Sequence, residues 1–389
     1  MLPHFDHIHI RGFRRLKDVD LELRPLCVMI GANGSGKSSL LDAFSLLASS
    51  ASGELNKKLS DLGGLTSIQN ASEKTGLLFE LLLTLPDTKI NQLSYLLSIS
   101  LSNRPYETSF LINKESLIQT LQSNDEPTKK FIESLNGDVR YYNVHGMVIK
   151  PSREINGLES ALSQFPERVF APAITSFCLS SCLYYHNLNV DQRSLVRLPQ
   201  QIRPVDLPGH DGEDLIACLF SLREKDRSRF EVIEDTLRAA YPSFERLEFP
   251  PVATGMMAMA WRDRNFTRPF YMNELSEGML RYLWLTTLLQ SPNLPSITLL
   301  DEPEVSLHPE LLRLLADQMR EAAQRTQLFV ATHADSLIRF LEPKEVLAFD
   351  LAEDGSAQAT WADTFDLEEW LKDYTLDEVW RMGRMGGRA

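Results

Sequence analysis

The sequence predicts an α/β fold, and three apolar segments carry that prediction. The first, at residues 26–30, leads into a glycine-rich loop and then into a helix pattern with an apolar face. The other two, at residues 296–300 and 327–331, are followed directly by Asp301-Glu302 and by Thr332-His333. Because ligands of open α/β sheets bind at the carboxyl ends of the strands, we expect the three segments to bring these polar ends together.

The glycine-rich loop has the pattern of a phosphate-binding loop. Residues 31–38 read Gly-Ala-Asn-Gly-Ser-Gly-Lys-Ser, which fits G-x-x-x-x-G-K-[ST]. Glycines are needed because backbone N–H groups must turn toward a phosphate where a Cβ would collide, and the helix that follows presents its positive N-terminus to the same anion. The residues expected to bind a nucleotide are Gly31, Asn33, Gly34, Ser35, Gly36, Lys37, Ser38 and Ser39.

The strand ends supply the groups for phosphate chemistry. Lys37 is expected to reach the β- and γ-phosphates, and the Ser38 hydroxyl to bind Mg²⁺. Asp301 is expected to hold the hydrated Mg²⁺, while the adjacent Glu302 polarises a water for attack on the γ-phosphorus. His333 ends the third segment and is expected at the same edge of the sheet.

A further segment places a serine at the start of a helix. Ser276 precedes the apolar run 279–289 and is spaced as an N-cap, with Gly278 close to it. A helix N-terminus that carries a serine hydroxyl and a nearby glycine again suits an anion. We therefore expect Ser276 and Gly278 to contact a phosphate as well.

These segments together resemble the motifs of ABC-type ATPases. Residues 31–38 resemble the Walker A motif, and residues 275–278 (L-S-E-G) resemble the signature motif. Residues 299–304 (L-L-D-E-P-E) resemble Walker B, residues 306–309 (S-L-H-P) the D-loop, and residues 331–333 (A-T-H) the switch-histidine motif. The opening F-D-H-I-H-I-R-G-F-R-R is similar to the SMC/RecF/OLD-like branch, the AAA-family ATPases of the AAA_21 type. The resemblance covers about residues 1–85 and 205–365. It implies an ABC-type P-loop ATPase head with an antiparallel β-subdomain, a central mixed sheet and a helical signature lobe.

The resemblance also implies a site shared between two subunits. Such ATPases bind ATP and Mg²⁺ between two head-to-tail protomers, so that the signature segment of one subunit contacts the γ-phosphate held by the Walker A segment of the other. It further implies that Glu302 is the general base and that His333 senses the γ-phosphate. The Q-loop residue, which joins the lobes in these ATPases, stays open between Gln69 and His186.

The motif order divides the chain into four parts. Residues 1–101 are predicted as the N-terminal ATPase lobe with Walker A, and residues 205–365 as the lobe with the signature, Walker B and switch histidine. Residues 102–204 have an irregular pattern, with a polar cluster at 122–127, and are predicted as an insertion or lobe connector. Residues 366–389 are predicted as a C-terminal helical tail. No heptad run predicts a long coiled coil, and we expect no nuclease domain after the ATPase.

Composition and charge exclude several classes of protein. The 389 residues are 43% hydrophobic, and no apolar run is long enough to cross a membrane. No secretory signal is apparent, so we expect a cytoplasmic protein. The four cysteines are too scattered for a disulfide framework or a zinc site. The net charge of −13 disfavours a protein that coats nucleic acid through general electrostatic attraction.

The expected partners follow from the resemblance. We expect a head-to-tail homodimer or a higher oligomer, no membrane partner, and a separate effector protein in a DNA-maintenance or anti-phage defence system, a setting that rests on family analogy. DNA contact stays open, because two basic clusters either meet a phosphate backbone or form solvated surface. The clusters are Arg11, Arg14, Arg15 and Lys17, and Arg381, Arg384 and Arg388.

Two alternative functions share the phosphate-binding loop. The first is the nucleotide-binding motor subunit of a membrane transporter, which the L-S-E-G signature and the F-R opening disfavour. The second is a P-loop kinase, which leaves the second set of motifs without an explanation.

Overall fold

The structure of the protein, a computed structural model, describes residues 3–72, 75–86, 92–102, 110–120, 128–151, 153–166 and 169–385. Twenty strands lie within these ranges: β1 (His4–Phe13), β2 (Leu16–Glu22), β3 (Leu26–Gly31), β4 (Leu77–Thr84), β5 (Gln92–Leu101), β6 (Phe110–Thr120), β7 (Lys129–Leu135), β8 (Asp138–Tyr142), β9 (Val148–Ile149), β10 (Leu183–Tyr185), β11 (Gln200–Gln201), β12 (Phe244–Glu248), β13 (Pro251–Ala253), β14 (Met256–Met257), β15 (Ala260–Asp263), β16 (Phe270–Tyr271), β17 (Ile297–Asp301), β18 (Gln327–Ala331), β19 (Val346–Leu351) and β20 (Ala357–Trp361).

Ten α-helices lie in the same described ranges. They are α1 (Lys37–Ser52), α2 (Leu55–Asp61), α3 (Leu65–Ile68), α4 (Phe170–Ser180), α5 (Leu215–Lys225), α6 (Arg227–Ala240), α7 (Glu277–Gln290), α8 (Pro309–Ala322), α9 (Asp335–Ile338) and α10 (Leu376–Arg381). None of these helices is long and apolar enough to cross a membrane.

The first large sheet is antiparallel and has eight strands in the order β2-β1-β4-β5-β6-β7-β8-β9. Its strands alternate buried and half-buried side chains, as β4 and β5 show along nearly their whole length. This is the pattern of a sheet with one face on the core. The predicted antiparallel β-subdomain is therefore confirmed.

The sheet continues beyond the point where the sequence pattern became irregular. Strands β6 to β9 belong to it, so the described residues 110–120 and 128–149, which have an irregular sequence pattern, contribute regular antiparallel strands to this sheet. The sequence does not show an alternation of apolar and polar residues here, because the polar residue Glu115 on β6 is buried. Its carboxylate accepts hydrogen bonds from the Ala161 N–H (2.6 Å), the Leu162 N–H (2.9 Å) and the Tyr95 hydroxyl (3.0 Å). Burial raises the pKa of Glu115 to about 7, although these three donors lower it. The polar cluster at residues 122–127 lies outside the described residues.

The second large sheet is mixed and has the order β10-β17-β18-β3-β19-β20. All pairs are parallel except β19 with β20. Strand β3 lies inside the sheet, where Val28 pairs with Val330 of β18 on one side and with Val346 of β19 on the other. Helix α1 packs against this sheet, with the Phe44 and Phe329 ring centroids 4.7 Å apart. The sheet therefore places the ends of β3, β17 and β18 side by side.

A mostly helical lobe covers the other face of the mixed sheet. Helices α5 to α8 share one apolar core with side chains of β3 and β18, and two three-stranded sheets, β11-β14-β13 and β12-β15-β16, lie beside them. Helices α5 and α6 form a pair that precedes the signature segment in the chain. Helix α7 is buried along almost its whole length after its first turn, which fixes its N-terminus relative to the mixed sheet.

The predicted N-cap at Ser276 is confirmed, and other local features agree with residue preferences. The Ser276 hydroxyl accepts a hydrogen bond from the Met279 N–H at the start of α7, and Pro309 is in the first turn of α8. Strands β19 and β20 form an antiparallel hairpin, with Asp354 in its turn. Thr375 opens α10 with a capping box. All four cysteines are free thiols, as the scattered spacing predicted.

Candidate nucleotide site at the end of the mixed sheet

The loop between β3 and α1 has the geometry of a phosphate-binding loop. Gly31 and Gly36 have φ values of 144° and 120°. A Cβ on Gly31 would lie 2.3 Å from the Phe349 carbonyl oxygen, and one on Gly36 would lie 2.9 Å from the Ala357 Cβ. Both positions require glycine, because the loop lies directly against β19 and β20. The loop between β3 and α1 therefore follows a tight path that depends on these glycines.

Lys37 is buried and is held by the loop itself. Its Nζ donates hydrogen bonds to the carbonyl oxygens of Gly31 (2.7 Å) and Ala32 (3.1 Å). Burial lowers the pKa of Lys37 to about 8, while the nearby carboxylates of Asp301, Glu302 and Glu304 raise it. The ammonium group is therefore still charged at neutral pH and lies among acidic groups.

The two carboxylates after β17 have different surroundings. The Tyr184 hydroxyl donates to Asp301 Oδ2 (3.1 Å), and burial raises the pKa of Asp301 although this hydrogen bond lowers it. Glu302 is less enclosed, with 41% of its side chain exposed, and its backbone has a φ of 50°. The left-handed φ is a strained conformation for glutamate, and strained residues cluster at functional sites. The two acids can thus perform separate tasks.

His333 lies between the lysine and the exposed glutamate. Its Nδ1 is 3.5 Å from Lys37 Nζ, and its Nε2 is 3.7 Å from Glu302 Oε1. Burial lowers the pKa of His333, and the positive charge of Lys37 lowers it further. A neutral imidazole therefore lies between the Lys37 ammonium and the Glu302 carboxylate. The structure brings together four predicted residues from three strand ends: Lys37, Asp301, Glu302 and His333.

Of the two Q-loop candidates, the structure brings His186 to this edge. It follows β10, the parallel neighbour of β17, and its Nδ1 is 4.0 Å from Asp301 Oδ2. Its ring packs on that of Tyr184 with centroids 3.9 Å apart. Gln69 instead forms a β-bridge with Phe13. The geometry therefore favours His186 over Gln69.

Sequence reasoning missed three neighbours of the site. Tyr184 contacts Asp301, Arg14 pairs with Asp42 of α1, and Glu304 binds the loop that carries His333. Strand β10 has only three residues, too few to show a strand period around Tyr184. The only sequence signal for Glu304 is its place in D-E-P-E, which does not reveal what the side chain contacts.

The residues at the start of α7, in the signature segment, line a surface groove. This groove has a volume of about 700 Å³, and its polar lining residues are Ser276, Glu277, Ser306, His308 and Glu310. Gly278 also lines it, and a Cβ there would lie 2.7 Å from the Ser306 carbonyl oxygen, so the start of α7 lies directly against the turn after β17. No residue of the 31–39 segment lines this groove. Ser276 and Gly278 thus share this groove with the turn after β17 and not with residues 31–39.

The two basic clusters are largely paired with other groups of this chain. Their ion pairs are Arg14–Asp42, Lys17–Asp354 and Arg381–Asp335. In addition, Arg384 packs over the Trp370 ring at 4.6 Å from its centroid. Arg388 lies outside the described residues. This pairing weakens the case for either cluster as a phosphate-backbone surface.

Fold and site together define a P-loop ATPase of the ABC type. Residues 26–339 match the AAA_21 family, described as "AAA domain, putative AbiEii toxin, Type IV TA system". Because the match spans most of the chain, the chain belongs to this family. None of the curated protein sequences matches the chain.

One solved SMC head domain has a similar fold, and two further SMC heads match more weakly. A crystal structure of the SmcHead bound to the C-winged helix domain of ScpA has a TM-score of 0.53 and 15% identity, over 92% of this chain and 97% of that chain. An Smc head domain with an extended coiled coil, bound to the C-terminal domain of ScpA and derived from Pyrococcus furiosus, has a TM-score of 0.49 and 13% identity over 95% and 98%. The SMC head domain from Thermotoga maritima has a TM-score of 0.44 and 11% identity over 92% and 98%. The first likeness confirms the predicted ABC-type head fold.

Proposed function

We propose that the protein binds and hydrolyses ATP with Mg²⁺ at a site that a second copy of the chain completes. One observation carries this proposal. The groups for phosphate binding and water activation meet at one edge of the mixed sheet, whereas Ser276 and Gly278 line a separate groove. A head-to-tail dimer would place the groove of one protomer over the phosphate-binding loop of the other.

The residues at the loop suit a nucleotide whose phosphates carry a magnesium ion. Ser38 is exposed at the start of α1, and Asp301 ends β17, which β18 separates from β3 in the mixed sheet. The described residues contain no group of three or more His, Cys, Asp or Glu that could hold a metal ion. The two donors Ser38 and Asp301 fit Mg²⁺, which keeps several waters and takes other ligands from the substrate phosphates. When bound, Mg²⁺ would neutralise phosphate charge.

The chain's own groups would then divide the reaction between them. Lys37 exchanges the carbonyl oxygens of Gly31 and Ala32 for phosphate oxygens, which attract the ammonium more strongly. The exposed carboxylate of Glu302 takes a proton from the attacking water. The neutral imidazole of His333 stays beside both groups and holds a hydrogen bond to the γ-phosphate. ATP would be converted to ADP and inorganic phosphate.

Replacing Ser276 with arginine tests whether the site is shared. The larger cationic side chain fills the groove at the start of α7, so ATP binding by the isolated chain should persist while hydrolysis falls about 100-fold, as it does when a transition-state donor is lost. The measurements are nucleotide titration and release of inorganic phosphate.

Ser228→Arg is the matched control, because Ser228 is exposed at the start of α6 in the same lobe. It should hydrolyse ATP as the unaltered protein does. A mixture of Ser276→Arg with Lys37→Ala chains should recover part of the turnover, because one mixed site then has both intact halves. Full activity of Ser276→Arg alone would contradict a shared site.

The lowered pKa of Lys37 predicts a pH dependence of ATP binding. Below pH about 8 the ammonium is charged and binds phosphate fully, whereas above it the free protein loses this charge. Affinity should therefore fall about tenfold between pH 7 and pH 9 in equilibrium titrations. Lys37→Arg should bind ATP with little change over this range, since its guanidinium stays charged. A flat profile for the unaltered protein would contradict the role of Lys37.

For the biological setting, we propose an ATPase component that acts with a separate effector in the cytoplasm, in anti-phage defence or DNA maintenance. The family description includes a putative toxin and a toxin–antitoxin system, and one of the similar SMC heads is bound to a domain of ScpA, which supports a protein partner. Affinity purification of Glu302→Gln protein with ATP tests this proposal. Recovery of the same partner without ATP, or of none, would count against a nucleotide-controlled complex.

A further inference from the structure

Glu304 lies in the turn that follows the mixed-sheet strand β17. The turn begins at Glu302 and includes Ser306, both with left-handed backbones (φ 50° and 63°). Two backbone hydrogen bonds close it, from Val305 to the Glu302 carbonyl (3.2 Å) and from Leu307 to the Glu304 carbonyl (3.0 Å). Because these two hydrogen-bonded turns, residues 302–305 and 304–307, overlap, Glu302 and Glu304 belong to one compact unit.

The side chain of Glu304 points at the loop that follows β18. Its Oε1 accepts hydrogen bonds from the Thr332 hydroxyl (2.6 Å), the His333 N–H (3.2 Å) and the Ala334 N–H (3.2 Å). Thr332 is almost fully buried, with 1% of its surface exposed. One carboxylate oxygen thus fixes three consecutive residues of the loop.

The middle residue of these three is the histidine of the nucleotide site. The His333 ring reaches Lys37 at 3.5 Å with Nδ1 and Glu302 at 3.7 Å with Nε2, so a small shift of its backbone would move both contacts. Misplacement by about 1 Å can cost about 100-fold in rate even when the altered residue is remote from the chemistry.

We propose that Glu304 is a positioning residue, which holds His333 between Lys37 and Glu302 by binding the backbone of the histidine loop. This inference rests on the proposed ATPase function. Glu304 does not contact the reacting groups; it joins the turn that carries the general base to the loop that carries the histidine. The part of Glu304 that matters for this role is the oxygen that accepts the three hydrogen bonds from the histidine loop.

The effect should appear in turnover and not in nucleotide affinity. Glu304→Ala removes the acceptor for three donors, so kcat should fall about tenfold or more while KM for ATP stays within about threefold. Glu304→Gln retains a side-chain oxygen that can accept the same hydrogen bonds, so it should keep kcat within about threefold of the unaltered protein. Glu368→Gln, at an exposed glutamate, is the control and should have no effect.

A double-mutant cycle with His333→Ala separates positioning from general structural support. If Glu304 acts through the histidine, Glu304→Ala should lower kcat by less than about twofold in the His333→Ala background. An equal loss in both backgrounds would overturn the proposal, as would unaltered kcat in Glu304→Ala. A glutamine variant as inactive as the alanine variant would also overturn it, because the charge and not the acceptor would then matter.

The outcomes also distinguish this inference from the proposed function. If the unaltered protein binds ATP but releases no phosphate under any condition, the proposed function fails. If it hydrolyses ATP and the Glu304 variants behave as it does, only the positioning role fails. Thermal unfolding of each variant identifies folding defects, and Glu304→Gln keeps the test decisive if Glu304→Ala does not fold.

Discussion

Replacing Glu302 with glutamine is expected to abolish ATP turnover while ATP binding is retained. Glutamine has the size and shape of glutamate but cannot take a proton from the attacking water, and a lost general base costs about 100-fold or more in rate. The groups proposed to bind phosphate, Lys37 and the loop before α1, are unchanged. ATP should therefore accumulate unhydrolysed, and the ATP-bound dimer should persist. Phosphate release and light scattering with ATP measure the two effects.

Glu353→Gln provides the control, because Glu353 is exposed in the turn between β19 and β20. It should retain turnover and should not stabilise the dimer. Turnover at the unaltered rate in Glu302→Gln would remove Glu302 as the base. Loss of turnover together with loss of ATP binding would show that the substitution disturbs the strained turn and not the proton transfer.

Replacing Lys37 with alanine is expected to abolish detectable ATP binding. The ammonium makes charge-assisted hydrogen bonds, and the loss of two such bonds to phosphate costs about 3 kcal/mol or more, at least about 100-fold in affinity. The substitution also removes the cation that lies among Asp301, Glu302 and Glu304, so phosphate would meet three uncompensated carboxylates. Equilibrium titration with ATP and Mg²⁺ measures the change.

Lys57→Ala removes the same charge from an exposed position, since 71% of the Lys57 side chain is accessible on α2. It should bind ATP normally, which separates the local effect of Lys37 from a change in net charge. Nucleotide affinity that is unchanged in Lys37→Ala would refute the assignment of the loop. The far-ultraviolet circular dichroism of both variants should match that of the unaltered protein.

Much of the mixed sheet and its polar ends could be predicted from the sequence. The order of strand, glycine loop and helix depends on local properties: apolar residues for β3, positive φ for the glycines, and helical spacing on α1. The caps at Ser276 and Pro309 are likewise local, because each depends on a residue's own hydroxyl or ring. Such signals can be recognised in the sequence without knowledge of contacts between distant residues.

The strands of residues 110–149 could not be predicted, because their inward positions include polar groups. Glu115, Gln119 and Ser134 are buried there, which breaks the apolar alternation. Glu115 is tolerated only because backbone donors far along the chain, at Ala161 and Leu162, satisfy it. Periodicity in a sequence window does not reveal such distant partners.

The same reason separates the predicted and unpredicted parts of the site. Residues inside motifs could be assigned from their spacing, whereas the choice between His186 and Gln69 needed the pairing of β10 with β17. The hydrogen bonds of Glu304 needed the loop after β18, which is adjacent to it only in space. When the role of a single residue depends on a tertiary contact, the neighbouring sequence contains no pattern that predicts it.

The position of β3 has a consequence for how the chain folds during synthesis. Its six residues are all buried, and both of its neighbours, β18 and β19, come from the far end of the sequence. The ribosome therefore releases β3 long before its partner strands exist, and such non-local pairing folds slowly and exposes apolar surface. Until then the nascent chain carries an unpaired apolar strand of the kind that chaperones cover. The loop that follows β3 becomes a nucleotide site only after β18 and β19 have emerged, so nucleotide binding would report synthesis at least as far as Leu351.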